Sequence, residues 1–151
     1  MNFDTFLTKL TALEKSIKIT SPVTTQVKRV YWGAPPQSLA DLPCVVNALT
    51  ESDRTLGFGS RDQGLAVNVQ CMVAKARVED ERSARIATAM WYAAKDAFDR
   101  DTTIDGSVAF STLRGGSPTV PVILAHAGEA YVGFSAVLTV HDVEAFDFDA
   151  E

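Results

Sequence analysis

Leu65-Ala66-Val67-Asn68-Val69-Gln70-Cys71-Met72-Val73-Ala74-Lys75 runs through a charged turn into a second stretch, Glu79 to Phe98, and this pair decides the fold. In the first part Leu65, Val67, Val69, Cys71 and Val73 share one side and Asn68, Gln70 and Met72 the other. That is the period of two of a half-buried strand. In the second part Ile86, Met90, Ala93, Ala94, Ala97 and Phe98 recur at spacings of three and four, which makes one apolar stripe on a helix. Val78-Glu79-Asp80-Glu81-Arg82-Ser83 carries acids into the first helical turn, where the macrodipole favours negative charge. The pair predicts a sheet with a helix lying across its inner face. None of these residues is chemistry; they specify a scaffold.

Upstream, Phe3, Phe6, Leu7, Leu10, Leu13 and Ile17 mark a first amphipathic helix over 3–17, stopped by Thr20-Ser21-Pro22. Val27 to Trp32 reads as a strand closed by Gly33-Ala34-Pro35-Pro36, since a double proline cannot continue a ladder. Leu42 to Leu49 reads as another strand, with Pro43 near its start. Thr50 to Gly64, polar and holding Gly57, Gly59 and Gly64, is either a long hairpin loop or the far end of two long strands. Downstream of the second helix, 100–106 is a loop, Ser107–Leu113 a strand and Gly115-Gly116-Ser117-Pro118 a turn. Val120–Ala127 pairs by hairpin, across Gly128-Glu129, with a long final strand from Ala130 to Val143. The order predicts a single α+β domain over 1–151: a mostly antiparallel sheet with two helices packed on one face. Residues 146–151 are expected to be a flexible tail.

The totals bound the function. At 151 residues the chain is long enough to bury a real core. No apolar run reaches the length of a membrane span, so no membrane association is expected. Met1-Asn2-Phe3-Asp4 has no basic region ahead of an apolar one, which argues against a signal peptide and for synthesis in a cytoplasm. Cys44 and Cys71 both fall inside strands and read as small buried hydrophobes. The net charge of −5 disfavours tight non-specific nucleic-acid binding, which needs clustered Lys and Arg.

Catalytic and cofactor chemistry find little footing. The glycines of 57–64 lead into a strand, whereas a phosphate-cradling loop must open a helix. His126 and His141 stand apart from each other and from both cysteines, so no metal-ligand spacing arises, and strand-end or solvent-facing histidines are expected. There is no Gly-x-Ser-x-Gly elbow. Asp99/Asp101 and Asp147/Asp149 lie in a loop and a tail, without a desolvating pocket to raise a carboxyl pKa. No enzyme, cofactor or metal is expected, and Asp99, Asp101 and His126 are the residues an activity screen would target. Two features point instead to partners. Arg54 and Arg61, in the mixed-charge stretch 50–64, and Phe146 and Phe148, spaced by acids near the C-terminus, are the candidate interface residues.

Taken in order, these parts resemble the tail terminator proteins of long-tailed, siphovirus-type phages. The resemblance rests on the helix Phe3–Ile17, the strand Leu42-Pro43-Cys44-Val45-Val46, the stretch feeding Leu65–Lys75, the alanine-rich helix and the closing Tyr131-Val132-Gly133-Phe134 to Val140 strand. It covers nearly the whole chain by pattern and length rather than by a sharp motif. It implies a structural protein of the virion at the head-proximal end of the tail, made in the host cytoplasm. Its partners would be its own copies in a homo-hexameric ring, the tail tube protein and a head-completion or connector protein. DNA would pass through the lumen without specific binding. The alternatives are another neck or head–tail joining protein, and a small α+β oligomerisation module unrelated to phage.

Overall fold

The computed structural model describes residues 2–37, 39–57, 60–76 and 81–142. Helix α1 (Phe3–Lys15) is followed by the two-residue strands β1 (Lys18–Ile19) and β2 (Thr25–Gln26), then by β3 (Arg29–Trp32), β4 (Cys44–Gly57) and β5 (Ser60–Lys75). Helix α2 (Glu81–Arg100) precedes β6 (Phe110–Gly115), β7 (Val122–His126) and β8 (Glu129–Asp142). The fold is α+β with a mostly antiparallel sheet. Its strand order is β3-β4-β5-β8-β6, with β7 also on β8, beyond β6 along the same edge. Among the described residues only β3 and β4 run parallel, Arg29 opposite Cys44 through Trp32 opposite Asn47. A parallel pair needs a crossover, and residues 33–43 supply it.

The alternation of β5 sets the layers. Leu65, Val67, Val69, Cys71 and Val73 face the main core, where they meet Phe6 and Leu10 of α1, Met90, Ala94 and Phe98 of α2, and Phe134, Leu138 and Val140 of β8. Both helices therefore cover one face. Each fully buried Leu or Phe side chain contributes about 1.5–3 kcal/mol relative to exposure. Asn2 caps α1, its Oδ1 accepting from Thr5 N at 3.0 Å.

The opposite face carries Asn68, Gln70 and Met72, as the alternation predicts, but part of it is buried as well. Met72, Cys44, Val46, Val122, Leu124 and Tyr131 form a second, smaller core there, closed by Leu39 and Leu42 of the crossover. Because the crossover must lie on one face of the sheet, residues on that face become buried too.

Several boundaries shift. Helix α1 ends at Lys15 rather than Ile17, and Gln26 Nε2 donates to the Lys15 carbonyl at 2.7 Å. The small β1–β2 ribbon takes up the chain beyond the helix, Lys18 opposite Gln26. The buried stripe of α2 is Ser83, Ala87, Met90, Ala94 and Phe98, with Ile86, Ala93 and Ala97 only partly buried beside it. Residues 107–109 belong to the α2–β6 connection, where the Asp101 carboxylate accepts from Asp105 N at 3.0–3.1 Å. The last hairpin turns at Ala127-Gly128, one residue earlier than expected, with His126 opposite Glu129.

Candidate interaction surface

Strands β4 and β5 stay paired far beyond the sheet's middle, from Cys44 opposite Met72 to Gly57 opposite Ser60. Residues 50–57 and 60–64 are thus paired strands, an arm made of the far end of two long strands rather than a loop. The pairing passes a bulge between Leu49 and Glu51, where Thr50 is the extra residue and its Oγ1 donates to the Ala66 carbonyl at 2.9 Å. Such a bulge bends the ribbon and raises its twist. β3 covers only Cys44–Asn47, so from Ala48 outward β4 has no second partner among the described residues. Across the sheet, β6 and β7 form the other edge, each paired among the described residues with β8 alone.

The register places Arg54 opposite Gln63 and Arg61 opposite Leu56, on the two limbs of this arm. The side chains of both arginines lie outside the described part of the chain, as do Phe146 and Phe148. The glycine-rich 57–64 is strand on either side of the tip, Gly64 pairing with Asp53, and no helix follows it.

Among the exposed large apolar side chains, Leu49 on β4, Phe110 on β6 and Ile123, 65% exposed, on β7 lie near the sheet's edges, while Tyr92 stands out from α2. Phe110 stacks on His141, centroids 4.5 Å apart and planes within 13°. At the opposite edge Trp32 stands edge-on to Phe3 of α1 at 5.7 Å. Both histidines stand at strand ends, as expected, and are half-buried there: His126 closes β7 and His141 is the last residue but one of β8. His126 Nε2 lies 2.6 Å from the Pro36 carbonyl, which ties β7 to the crossover.

The carboxylates named as screening targets have structural partners. Asp99 takes an i,i+4 ion pair from Lys95 at 2.8 Å, and Asp101 holds the backbone of its own loop. Among the described residues no group of three His, Cys, Asp or Glu side chains could hold a metal ion, and no helix is long and apolar enough to cross a membrane.

One polar pair escaped the sequence reading. Glu14 is fully buried beneath α1, and Asn47 of β4, 1% exposed, donates from Nδ2 to its Oε1 at 2.6 Å. Burial pushes the Glu14 carboxyl up to about 8, against the opposing influence of the Asn47 bond. A signal was present: Glu14 stands four residues after Leu10 and three before Ile17, inside the apolar stripe, and Asn47 stands two after Val45 on the inward side of its strand.

Comparison with known protein families finds no family model that matches the chain, and comparison with curated proteins finds no relative.

Proposed function

We propose that this chain is a structural subunit that closes into a ring of six on the end of a phage tail tube, stops the tube's growth and offers its far side to a head-completion protein. The observation that carries the reading is the β4–β5 arm. It runs past its flanking strand and leaves the sheet with two open edges of different make: β3 with the outer half of β4 on one side, β6 with β7 on the other. Unlike edges join head to tail, and a head-to-tail contact whose rotation closes gives a ring. The exposed Leu49, Phe110 and Ile123 supply apolar area near those edges.

The mechanism is geometric. A tube grows because each subunit presents the surface that the next one needs. A terminator copies the incoming subunit on one face and lacks the continuing surface on the other, so growth ends where it binds. DNA passes through the lumen, and a net charge of −5 keeps the passage from holding it.

The test is to polymerise a phage tail tube protein with and without this chain and to measure tube lengths by electron microscopy. Short tubes with an extra ring of density at one end are expected. Unchanged lengths, with binding to the connector protein instead, would move the chain to the head–tail joining class. Arg54→Glu with Arg61→Glu should abolish capping; intact assembly would remove these two residues from the interface.

A further inference from the structure

Beneath α1 the Glu14–Asn47 pair has an unfinished hydrogen-bond pattern. Asn47 Nδ2 donates to Glu14 Oε1, while Glu14 Oε2 and Asn47 Oδ1, both buried, have no partner among the described residues. Buried polar atoms are almost always paired, and leaving one unpaired costs about 1–3 kcal/mol. Here two leftover acceptors belong to the two halves of one pair, so a single donor between them would complete both. An ionised carboxylate has no donor to give. A protonated carboxyl has one, and an acid facing an amide then makes two side-by-side bonds.

We propose that Glu14 is a proton-operated latch: neutral, its Oε2–H donates to Asn47 Oδ1 and fastens the C-terminal end of α1 to β4; ionised, it frees that end from the sheet. The proton passes to solvent on release and returns on closing. Glu14 lies in the last turn of α1 and Asn47 on the first half of β4, so the pair spans the joint between helix and sheet.

The surroundings give an ionised Glu14 nothing to hold it. β4 contributes the Asn47 amide, and β5 the Cys71 thiol, which is itself pushed up by burial, by Cys44 and by Glu14. On α1 and β1, Lys15 and Lys18 are exposed. On β3, Arg29 is exposed and paired with Asp41, and on α2, Arg100 and Asp96 pair with each other at the surface. None of these four cations shifts the carboxyl; desolvation raises its pKa and Asn47 lowers it. The C-terminal turn of a helix, with its partial negative charge, also disfavours an anion.

The sign follows from proton counting. The ordinary value of 4.5 applies when α1 is open and about 8 when it is closed. Between these values the closed form holds one proton more, so closure is favoured in full below pH 4.5. It weakens about tenfold per pH unit as pH rises to about 8 and then levels off. Release of that end would uncover Leu10, which is buried in the closed form.

Hydrogen exchange of the intact protein across pH 6 to 9.5, corrected for the intrinsic rate, tests this, with α2 as internal reference. Protection of α1 should fall relative to α2 by about tenfold per unit up to pH ~8 and then flatten. In Glu14→Gln the amide can make both bonds to Asn47 at every pH, so α1 should stay protected throughout. Should that variant not fold, the side-chain carboxyl carbon of Glu14, followed by NMR in the natural protein, decides the matter. Titration near pH 8 supports the latch. Titration in the ordinary carboxylate range, which would require water to bridge the two oxygens, overturns it, as does α1 protection that follows α2 at every pH.

Discussion

Cys44 and Cys71 sit on adjacent strands one register step apart, Cys44 opposite Met72 and Val45 opposite Cys71, yet they face opposite sides of the sheet. Cys71 belongs to the main core and Cys44 to the smaller one. Side chains on opposite faces cannot reach the approach that a disulfide requires. Both thiols are free and buried, and burial pushes Cys44 up to about 11 and Cys71 higher still. The reactive form is the thiolate. Neither cysteine should therefore react with a thiol reagent at pH 7 in the native protein, and both should react after denaturation. Native reaction of one thiol at the denatured rate would contradict the burial.

Gly133 marks the tightest approach between β5 and β8. A Cβ there would collide with the Cys71 carbonyl, a backbone atom that cannot swing aside. The position lies opposite Met72, next to the bulge between Met72 and Ala74. Gly133→Ala should cost more than ~4 kcal/mol, the range of disruptive core changes, and yield little folded protein. Gly128→Ala meets no neighbour. Its penalty, due to its φ of +82° alone, should be about 1 kcal/mol. Denaturant midpoints of the two variants give the comparison.

Ala127 is the converse case. Its φ of +50° and that of Gly128 make the two-residue turn that joins β7 to β8, a conformation suited to Asn-Gly. An alanine held there costs about 1 kcal/mol. Ala127→Asn should raise stability by about 0.5–1 kcal/mol, read as a higher urea midpoint with unchanged slope.

Leu39 tests the second core. It is buried at 3% exposure in the crossover, against Cys44, Val46, Met72, Val122, Leu124 and Tyr131. Leu39→Ala should cost about 2–3 kcal/mol, whereas a mere surface loop would tolerate it within ~0.5 kcal/mol. Thermal denaturation of the variant separates the two outcomes.

Periodicity over long elements was legible. The alternation Leu65–Val73 found both the strand and its inward face, and the helical spacing around Met90 and Phe98 found α2, because each pattern repeats over enough residues to stand out. The strands of 18–19 and 25–26 were too short for any pattern. Met72, on the other side of that strand with Asn68 and Gln70, marks the second apolar layer. Glu14 was invisible for a related reason: a stripe is read by its apolar members, and a carboxyl among them passes as solvent-facing. The candidate surface was half legible. Thr50–Gly64 stood out as unusual, but polar residues and glycines do not by themselves separate a loop from the far end of two long strands.

The ring is the central claim, and native mass spectrometry of the purified protein over a concentration series addresses it most directly. The account predicts a discrete species near six times the 16.3 kDa subunit mass, growing at the expense of monomer as concentration rises. A discrete dimer that never grows further would contradict it, because a self-complementary contact would then be using an edge that the head-to-tail ring needs free.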